Sequence, residues 1–197
     1  SLLEQGKRVL FMSLEMSPRQ VGARMVAIDS GQAIDSVRLM YDRFKNQPLT
    51  QDEELAILQS KAKLRNYPIT ISMKSSWAAL KAKMAEISIM KNIDVIVIDF
   101  LQNLQSKEDE YTKLTNISVD LQSFCNRTQC TVIATSQIPK DAQINKYDDV
   151  IALKGSGSIG EKADVVMLIG YDTKNYKKED FDAMKAKNEP LPVVLNI

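Results

Sequence analysis

Short apolar runs alternate along this chain with longer amphipathic segments, and this alternation limits the folds that the sequence can adopt. Such a pattern is typical of parallel strands joined by crossover helices. We therefore predict an α/β fold with a mostly parallel, twisted sheet flanked by helices, built as a single domain from residues 1–197. The predicted strands are Val9–Ser13, Ile69–Met73, Val95–Asp99, Thr131–Thr135, Val165–Gly170 and Val193–Ile197.

Two capping boxes mark the starts of predicted helices. Ser17 with Gln20 opens a helix that should run to about Ser30, and Thr50 with Glu53 opens another that should end near residue 65. The second helix is predicted to bury an apolar face made of Leu55, Leu58 and Ala62. Two further helices are predicted at Trp77–Lys91 and Tyr111–Thr128, and helices are expected to stop at Gly6 and Asn92.

The composition excludes several classes of site. Lys and Arg number 26 and Asp and Glu 25, so the net charge of +1 gives no overall attraction to nucleic acid, and any polyanion site must be local. The chain has no histidine, which excludes histidine bases, histidine metal ligands and serine–histidine dyads. Any chemistry must use carboxylates, amides, hydroxyls, Lys, Arg or a metal ion.

Cellular location is predicted from two other features. Cys125 and Cys130 are the only cysteines, and their positions fit reduced thiols better than a disulfide framework. The longest apolar runs, such as Val95–Ile98, are far shorter than a membrane span. We therefore expect a soluble, cytoplasmic protein that does not contact membranes.

Three polar side chains stand at or just beyond the ends of predicted strands: Glu15, Asp99 and Gln137. In an open α/β sheet, the carboxyl ends of the strands form the edge at which ligands bind. An aspartate there can hold Mg²⁺ through water, a second carboxylate can activate a water molecule, and an amide can contact a γ-phosphate. Taken singly, each residue also fits a turn, a cap or an exposed surface position.

Four segments, in this order and near this spacing, resemble the motifs of DnaB-like replicative helicases. They are "FMSLEMS" at 11–17, "VIVIDFLQNL" at 95–104, "ATSQ" at 134–137 and "SGSIGEKADVVM" at 156–167. The resemblance covers nearly the whole chain and implies a RecA-like ATPase domain. It also implies a homo-hexameric ring that moves along single-stranded DNA using ATP, or another NTP, with Mg²⁺, and primase and a helicase loader as partners of the parent protein.

The resemblance assigns roles residue by residue. Glu15 matches the catalytic base of the family, Asp99 its Walker B residue that binds Mg²⁺, and Gln137 its γ-phosphate sensor. Leu101 and Gln102 match positions of the family without a separate role. The role of Arg24, which follows "SLEMS", stays open.

An ATPase of this kind needs the phosphate loop G-x-x-x-x-G-K-[ST], and the 197 residues do not contain it. Gly6 and Lys7 are no substitute, because they come at the end of a predicted helix rather than its start. The family spacing leads us to expect this loop about ten residues before Ser1, and an arginine finger after Ile197. We therefore expect these residues alone to neither hydrolyse ATP nor unwind DNA.

Gly155, Gly157 and Gly160 form the pattern G-x-G-x-x-G. A dinucleotide loop is excluded, since only four residues separate Gly160 from the next predicted strand, whereas that loop requires a full helix. The resemblance instead implies contact with the phosphates of single-stranded DNA through Lys154, Gly155 and Gly157. Lys140 and Lys146 are further candidates, with a solvated surface position as the alternative.

Two other interpretations remain open. A degenerate RecA-type domain, kept as a ring or partner-binding module, would account for the missing phosphate loop, although it has no physical need for Glu15, Asp99 and Gln137 together. Another RecA-type ATPase, such as a recombinase or a KaiC-like protein, is disfavoured by "SLEMS" at residues 13–17.

Overall fold

The structure is a computed structural model that describes residues 1–31, 48–137, 157–171, 175–186 and 193–196. Its elements are, in order, β1 (Val9–Ser13), α1 (Pro18–Asp29), α2 (Gln51–Leu64), β2 (Ile69–Ser72), α3 (Trp77–Met90), β3 (Val95–Asp99), a 3-10 turn (Leu101–Asn103), α4 (Glu110–Thr128), β4 (Thr131–Ala134), α5 (Gly157–Lys162), β5 (Leu168–Tyr171), α6 (Lys178–Ala186) and β6 (Val193–Asn196). The chain divides into two compact units. The first is Ser1–Asp109 with Asp120–Gln137, and the second is Glu110–Val119 with Ile138–Ile197.

The first unit contains a four-stranded sheet in the order β2-β1-β3-β4. All neighbouring strands are parallel, as the sequence predicts. The two central strands are mostly buried, and Leu10, Ile96 and Ile98 are among the most buried side chains. A strand inside a parallel sheet is covered on both faces, which explains why β1 and β3 are continuous apolar runs rather than alternating ones.

The capping boxes of α1 and α2 are confirmed. Ser17 Oγ accepts a hydrogen bond from the backbone N–H of Gln20, whose side chain accepts one from the Ser17 N–H. Thr50 and Glu53 make the same reciprocal pair at the start of α2. These bonds satisfy N–H groups that have no partner within the helix, and so fix where each helix begins.

The buried face predicted for α2 is wrong. Leu55, Leu58 and Ala62 are exposed, and the two leucines keep 54% and 65% of their surface. The face that α2 buries contains Ile57, which packs with Val26 of α1 in a cluster that also includes Leu49 and Leu64. The sequence of α2 carries two apolar stripes, and packing against α1 selects the one through Ile57.

Helix ends follow the predictions with small shifts, except at Gly6, where residues 2–6 form a turn instead of the predicted helix. At residues 1–7 a turn ends in a Schellman pair, with Gly6 N–H bonded to Leu3 O and Lys7 N–H to Leu2 O. Gly6 has a φ of 73°, which glycine adopts without strain. The left-handed residue that ends α3 is Lys91, with a φ of 48°, one position before the predicted Asn92.

The second unit departs further from the sequence predictions. Strand β5 begins at Leu168 instead of Val165 and pairs with β6 in antiparallel fashion from Leu168 to Tyr171. In the described residues, β6 spans Val193–Asn196. Helix α6 was not predicted, and its Phe181 packs against the ring of Tyr176 at a centroid distance of 6.1 Å.

Both cysteines are free thiols, as predicted. Cys130 is buried, and burial raises the pKa of its thiol to about 11, whereas Cys125 is half-buried. Cys130 is therefore a poor nucleophile at neutral pH, since the thiolate is the reactive form. Within the ranges that the structure describes, no helix is both long and apolar enough to cross a membrane.

Candidate functional site

Asp99 is the last residue of β3 and lies at the carboxyl edge of the sheet. It stands opposite Ser13 of β1 in the parallel register, and its backbone carbonyl accepts a hydrogen bond from Leu14 N–H at 2.8 Å. Its side chain accepts a hydrogen bond on Oδ1 from Thr135 Oγ1 at 2.7 Å. The carboxylate is half-buried. One of its oxygens is held by Thr135, which directly follows β4.

Glu15 lies two residues beyond the end of β1, in the short connection to α1. Hydroxyl groups fix this connection on both sides. Ser13 Oγ, which is buried, accepts a hydrogen bond from Met16 N–H at 3.1 Å, and Ser17 caps α1. The Glu15 side chain is exposed, so a short and well-bonded turn presents a carboxylate to solvent.

Gln137 follows β4 by three residues, and its side chain is exposed. The backbone leading to it is tied to β3 and the turn after it. Thr135 N–H donates to Ile98 O, and Thr135 O accepts from Leu101 N–H, both at 3.0 Å. The Gln102 side chain then bonds the backbone of Gln137 itself.

The structure places these three predicted residues at the same edge of three adjacent strands. Asp99 of the middle strand is paired with Ser13, and Ile98 with Ala134, so Thr135 follows in the same row. Glu15 and Gln137 each lie two residues beyond that row, on either side of Asp99. This arrangement follows from the parallel register, which aligns the carboxyl ends of the strands.

The donor set at this edge fits Mg²⁺ held together with a nucleotide. Across the described residues, no group of three or more His, Cys, Asp and Glu side chains could hold a metal ion by itself. Mg²⁺ commonly takes one or two carboxylates, with water and substrate phosphates filling its other positions. The Asp99 carboxylate, whose Oδ1 accepts a hydrogen bond from Thr135, is an oxygen donor of the kind that Mg²⁺ prefers.

The residues predicted to bind DNA are described only in part. Lys140, Lys146, Lys154 and Gly155 lie outside the described residues. Gly157 is the first residue of α5, and Gly160 lies within the same helix, both in the second unit. The G-x-G-x-x-G pattern thus ends in a short helix.

Sequence reasoning missed the side chains that hold this edge in place. Thr135 belongs to the "ATSQ" segment and orients Asp99, but a hydroxyl within a predicted strand carries no signal of its partner. Ser13 is buried and fixes the turn before Glu15. Gln102 matched the family pattern without a role, and its partners became visible only once β3 and β4 were paired.

Comparison with known proteins gives concordant results. The family model described as the DnaB-like helicase C terminal domain matches residues 1–194. The replicative DNA helicase DnaB of Mycoplasma pneumoniae is 28% identical over 194 residues, which covers 91% of this chain and 38% of that protein. A probable plasmid replicative DNA helicase of Chlamydia psittaci is 28% identical over 173 residues, covering 85% of this chain and 37% of that protein. The chain thus spans less than two fifths of these relatives.

Two solved structures share the fold. One of them, described as an ATPase domain, aligns with 98% of this chain and 72% of its own, at a TM-score of 0.76 and 19% identity. A DnaB-like replicative helicase, solved with its interactions with primase, aligns with 98% of this chain and 48% of its own, at a TM-score of 0.74 and 17% identity. The fold is therefore that of a RecA-like ATPase domain, and the match over residues 1–194 shows that the chain belongs to the DnaB-like helicase C-terminal domain family.

Proposed function

We propose that this chain forms part of the ATPase domain of a hexameric replicative DNA helicase, which moves along single-stranded DNA and separates the duplex. One observation carries the proposal: Glu15, Asp99 and Gln137 stand at one edge of three adjacent parallel strands. That edge is where ligands bind in open α/β sheets. Membership of the helicase family supports DNA as the polymer along which the protein moves.

Each residue of the edge has a defined task in phosphoryl transfer. Magnesium bound with a nucleotide would neutralise charge on its phosphates. Asp99 would hold that ion from the end of β3, with its carboxylate oriented by Thr135. Glu15, exposed on its short turn, accepts the proton of the attacking water. The Gln137 amide donates a hydrogen bond to the γ-phosphate and thereby distinguishes ATP from ADP.

The phosphate loop required for hydrolysis is not contained in these 197 residues. Gly6 and Lys7 cannot act in its place, because their backbone N–H groups are already bonded to Leu3 O and Leu2 O. A phosphate cradle needs free N–H groups at the start of a helix. We therefore propose that hydrolysis belongs to the full-length protein and that residues 1–197 alone are inactive.

Contact with DNA is proposed for residues between 140 and 157, which belong to the second unit. Lys154, Gly155 and Gly157, with Lys140 and Lys146, are proposed to meet phosphate oxygens of the single strand. The near-neutral net charge of +1 supports a local rather than a global attraction to DNA. A homo-hexamer, with primase and a helicase loader as partners in the cytoplasm, completes the proposal. A DnaB-like helicase has been solved with its interactions with primase, which supports that partner.

The experiment measures ATP hydrolysis with single-stranded DNA, and the separation of a forked duplex, by the full-length protein. We expect Asp99→Asn to lower both rates at least about a hundredfold, because an amide is a much weaker Mg²⁺ ligand than a carboxylate. Asp120→Asn is the matched control, since Asp120 lies on the helix surface in a 4.0 Å ion pair with Lys81. Undetectable hydrolysis by the wild-type full-length protein would favour the degenerate ring or partner-binding module instead.

A further inference from the structure

Gln102 lies in the one-turn 3-10 helix that follows Asp99, and its side chain makes three hydrogen bonds across to the end of the β4 segment. Gln102 Nε2 donates to Ser136 Oγ at 2.8 Å and to Gln137 O at 3.3 Å. Gln102 Oε1 accepts from Gln137 N–H at 3.3 Å. The side-chain amide of Gln102 therefore bonds both the backbone N–H and the backbone C=O of Gln137.

This pairing replaces a strand ladder that has ended. The backbone pairing of β3 with β4 continues past Ala134 only through Thr135, by its bonds to Ile98 and Leu101. Beyond Thr135, the backbone groups of Gln137 are bonded by the Gln102 side chain instead of by another strand. The Gln102 amide thus continues the ladder for two more residues.

The 3-10 turn that carries Gln102 is held in place by buried side chains. Leu101, the first residue of the 3-10 turn, and Leu104, which directly follows it, are each 1% exposed, so apolar burial fixes the turn. Gln137, in contrast, has an exposed side chain and lies three residues beyond the end of β4. A side chain in that position keeps a defined direction only if its backbone is held.

We propose that Gln102 is a positioning residue for the γ-phosphate sensor, acting through the backbone of Gln137. Because Gln102 lies three residues after Asp99, its amide joins the magnesium-binding and sensing positions into one rigid group. The proposal deepens, and rests on, the ATPase function proposed above. Gln102 itself is not a catalytic residue, since its amide is occupied by Ser136 and Gln137.

The first test is kinetic and uses the full-length protein. Gln102→Met keeps the length of the side chain and removes its hydrogen bonds. We expect it to lower kcat about tenfold while KM for ATP changes less than about twofold, since misplacement of a contacting group mainly affects the reacting step. Gln105→Met is the matched control, because Gln105 is exposed and bonds to Ser75 and Trp77 through its backbone.

A double-mutant cycle separates this role from a structural one. If Gln102 acts through Gln137, then Gln102→Met should change kcat less than about twofold in a Gln137→Ala background. A tenfold loss in both backgrounds would overturn the proposal, as would an unchanged kcat or an effect confined to KM. Gln102→Glu keeps the acceptor for Gln137 N–H and loses the donor, so a loss of about threefold is expected if Gln102→Met fails to fold.

The second test needs no activity. Hydrogen exchange of the Gln137 N–H, followed in the full-length protein on a peptide covering residues 131–137, should speed up about tenfold in Gln102→Met and stay unchanged in Gln105→Met. Equal exchange in both variants would overturn the proposal that Gln102 holds the backbone of Gln137, whatever the ATPase measurements give. The wild-type full-length protein could also lack ATP hydrolysis while Gln102→Met still exchanges faster. That result would support the contact between Gln102 and Gln137 and refute the proposed function alone.

Discussion

Thr135→Val deletes the hydroxyl that donates to Asp99 Oδ1 at 2.7 Å and leaves the rest of the edge in place. Valine has the same branched shape as threonine and favours a strand conformation equally, so β4 should pair as before. Thr135 O and N–H keep their bonds to Leu101 and Ile98. The variant therefore changes one interaction of the Asp99 carboxylate.

The magnitude follows from the exposure of the two groups. A hydrogen bond to a charged group contributes about 1.5 to 3 kcal/mol when it is shielded from water. Thr135 is exposed and Asp99 half-buried, so water can replace part of the lost bond and the lower end applies. About 1.4 kcal/mol corresponds to a tenfold change in an equilibrium constant. We expect the Mg²⁺ concentration that half-saturates ATP hydrolysis to rise about tenfold.

The assay titrates Mg²⁺ at a fixed, saturating ATP concentration and records hydrolysis by the full-length protein. Thr131→Val is the matched control, because Thr131 begins β4, which Thr135 directly follows, and pairs with Val95 at the opposite end of that strand. The control should have the Mg²⁺ dependence of the wild type. If the two variants titrate alike, Thr135 does not orient Asp99 and the account of this edge fails.

Two other predictions concern the charge pairs of the fold and the proposed DNA contact. The Arg8 guanidinium, bonded to Asp94 Oδ1 at 2.7 Å and Oδ2 at 3.0 Å, holds the pKa of that carboxyl well below its ordinary value of 3.8. Asp94→Asn should therefore lower the free energy of unfolding by about 0.5 to 1 kcal/mol at pH 7. This difference should shrink as the pH falls below 3.8 towards the lowered pKa of Asp94 in the folded state. A difference that is independent of pH in denaturant titrations would contradict the prediction. Lys154→Glu in the full-length protein should weaken single-strand binding and flatten its dependence on salt, because fewer counterions are released; an unchanged slope in fluorescence titrations would remove Lys154 from the site.

The sheet of the first unit was predictable because its signals are local. Strands β1 and β3 keep their predicted bounds, since a strand buried on both faces must be apolar throughout. The starts of α1 and α2 were predictable because a capping box lies within four residues of sequence. The positions of Glu15, Asp99 and Gln137 at one edge then follow from the parallel order of the strands.

The rest depends on packing partners that the sequence does not name. The choice between Ile57 and Leu55 as the buried residue of α2 is made by α1. The antiparallel pairing of β5 with β6 could not be read from two short apolar runs. The bonds of Gln102 to Gln137 and of Thr135 to Asp99 join residues that are 35 and 36 positions apart, so no local pattern reveals them.

Single-turnover ATP cleavage by full-length Glu15→Gln, with nucleotide affinity measured in parallel, tests whether this edge performs hydrolysis. Glutamine keeps the size of the side chain and cannot accept the proton of the attacking water, so cleavage should slow at least about a hundredfold while ATP still binds. Glu86→Gln, which removes an exposed partner of Lys83 on α3, should cleave ATP at the wild-type rate. Cleavage by Glu15→Gln at the wild-type rate would contradict the assignment of this edge as the site of hydrolysis.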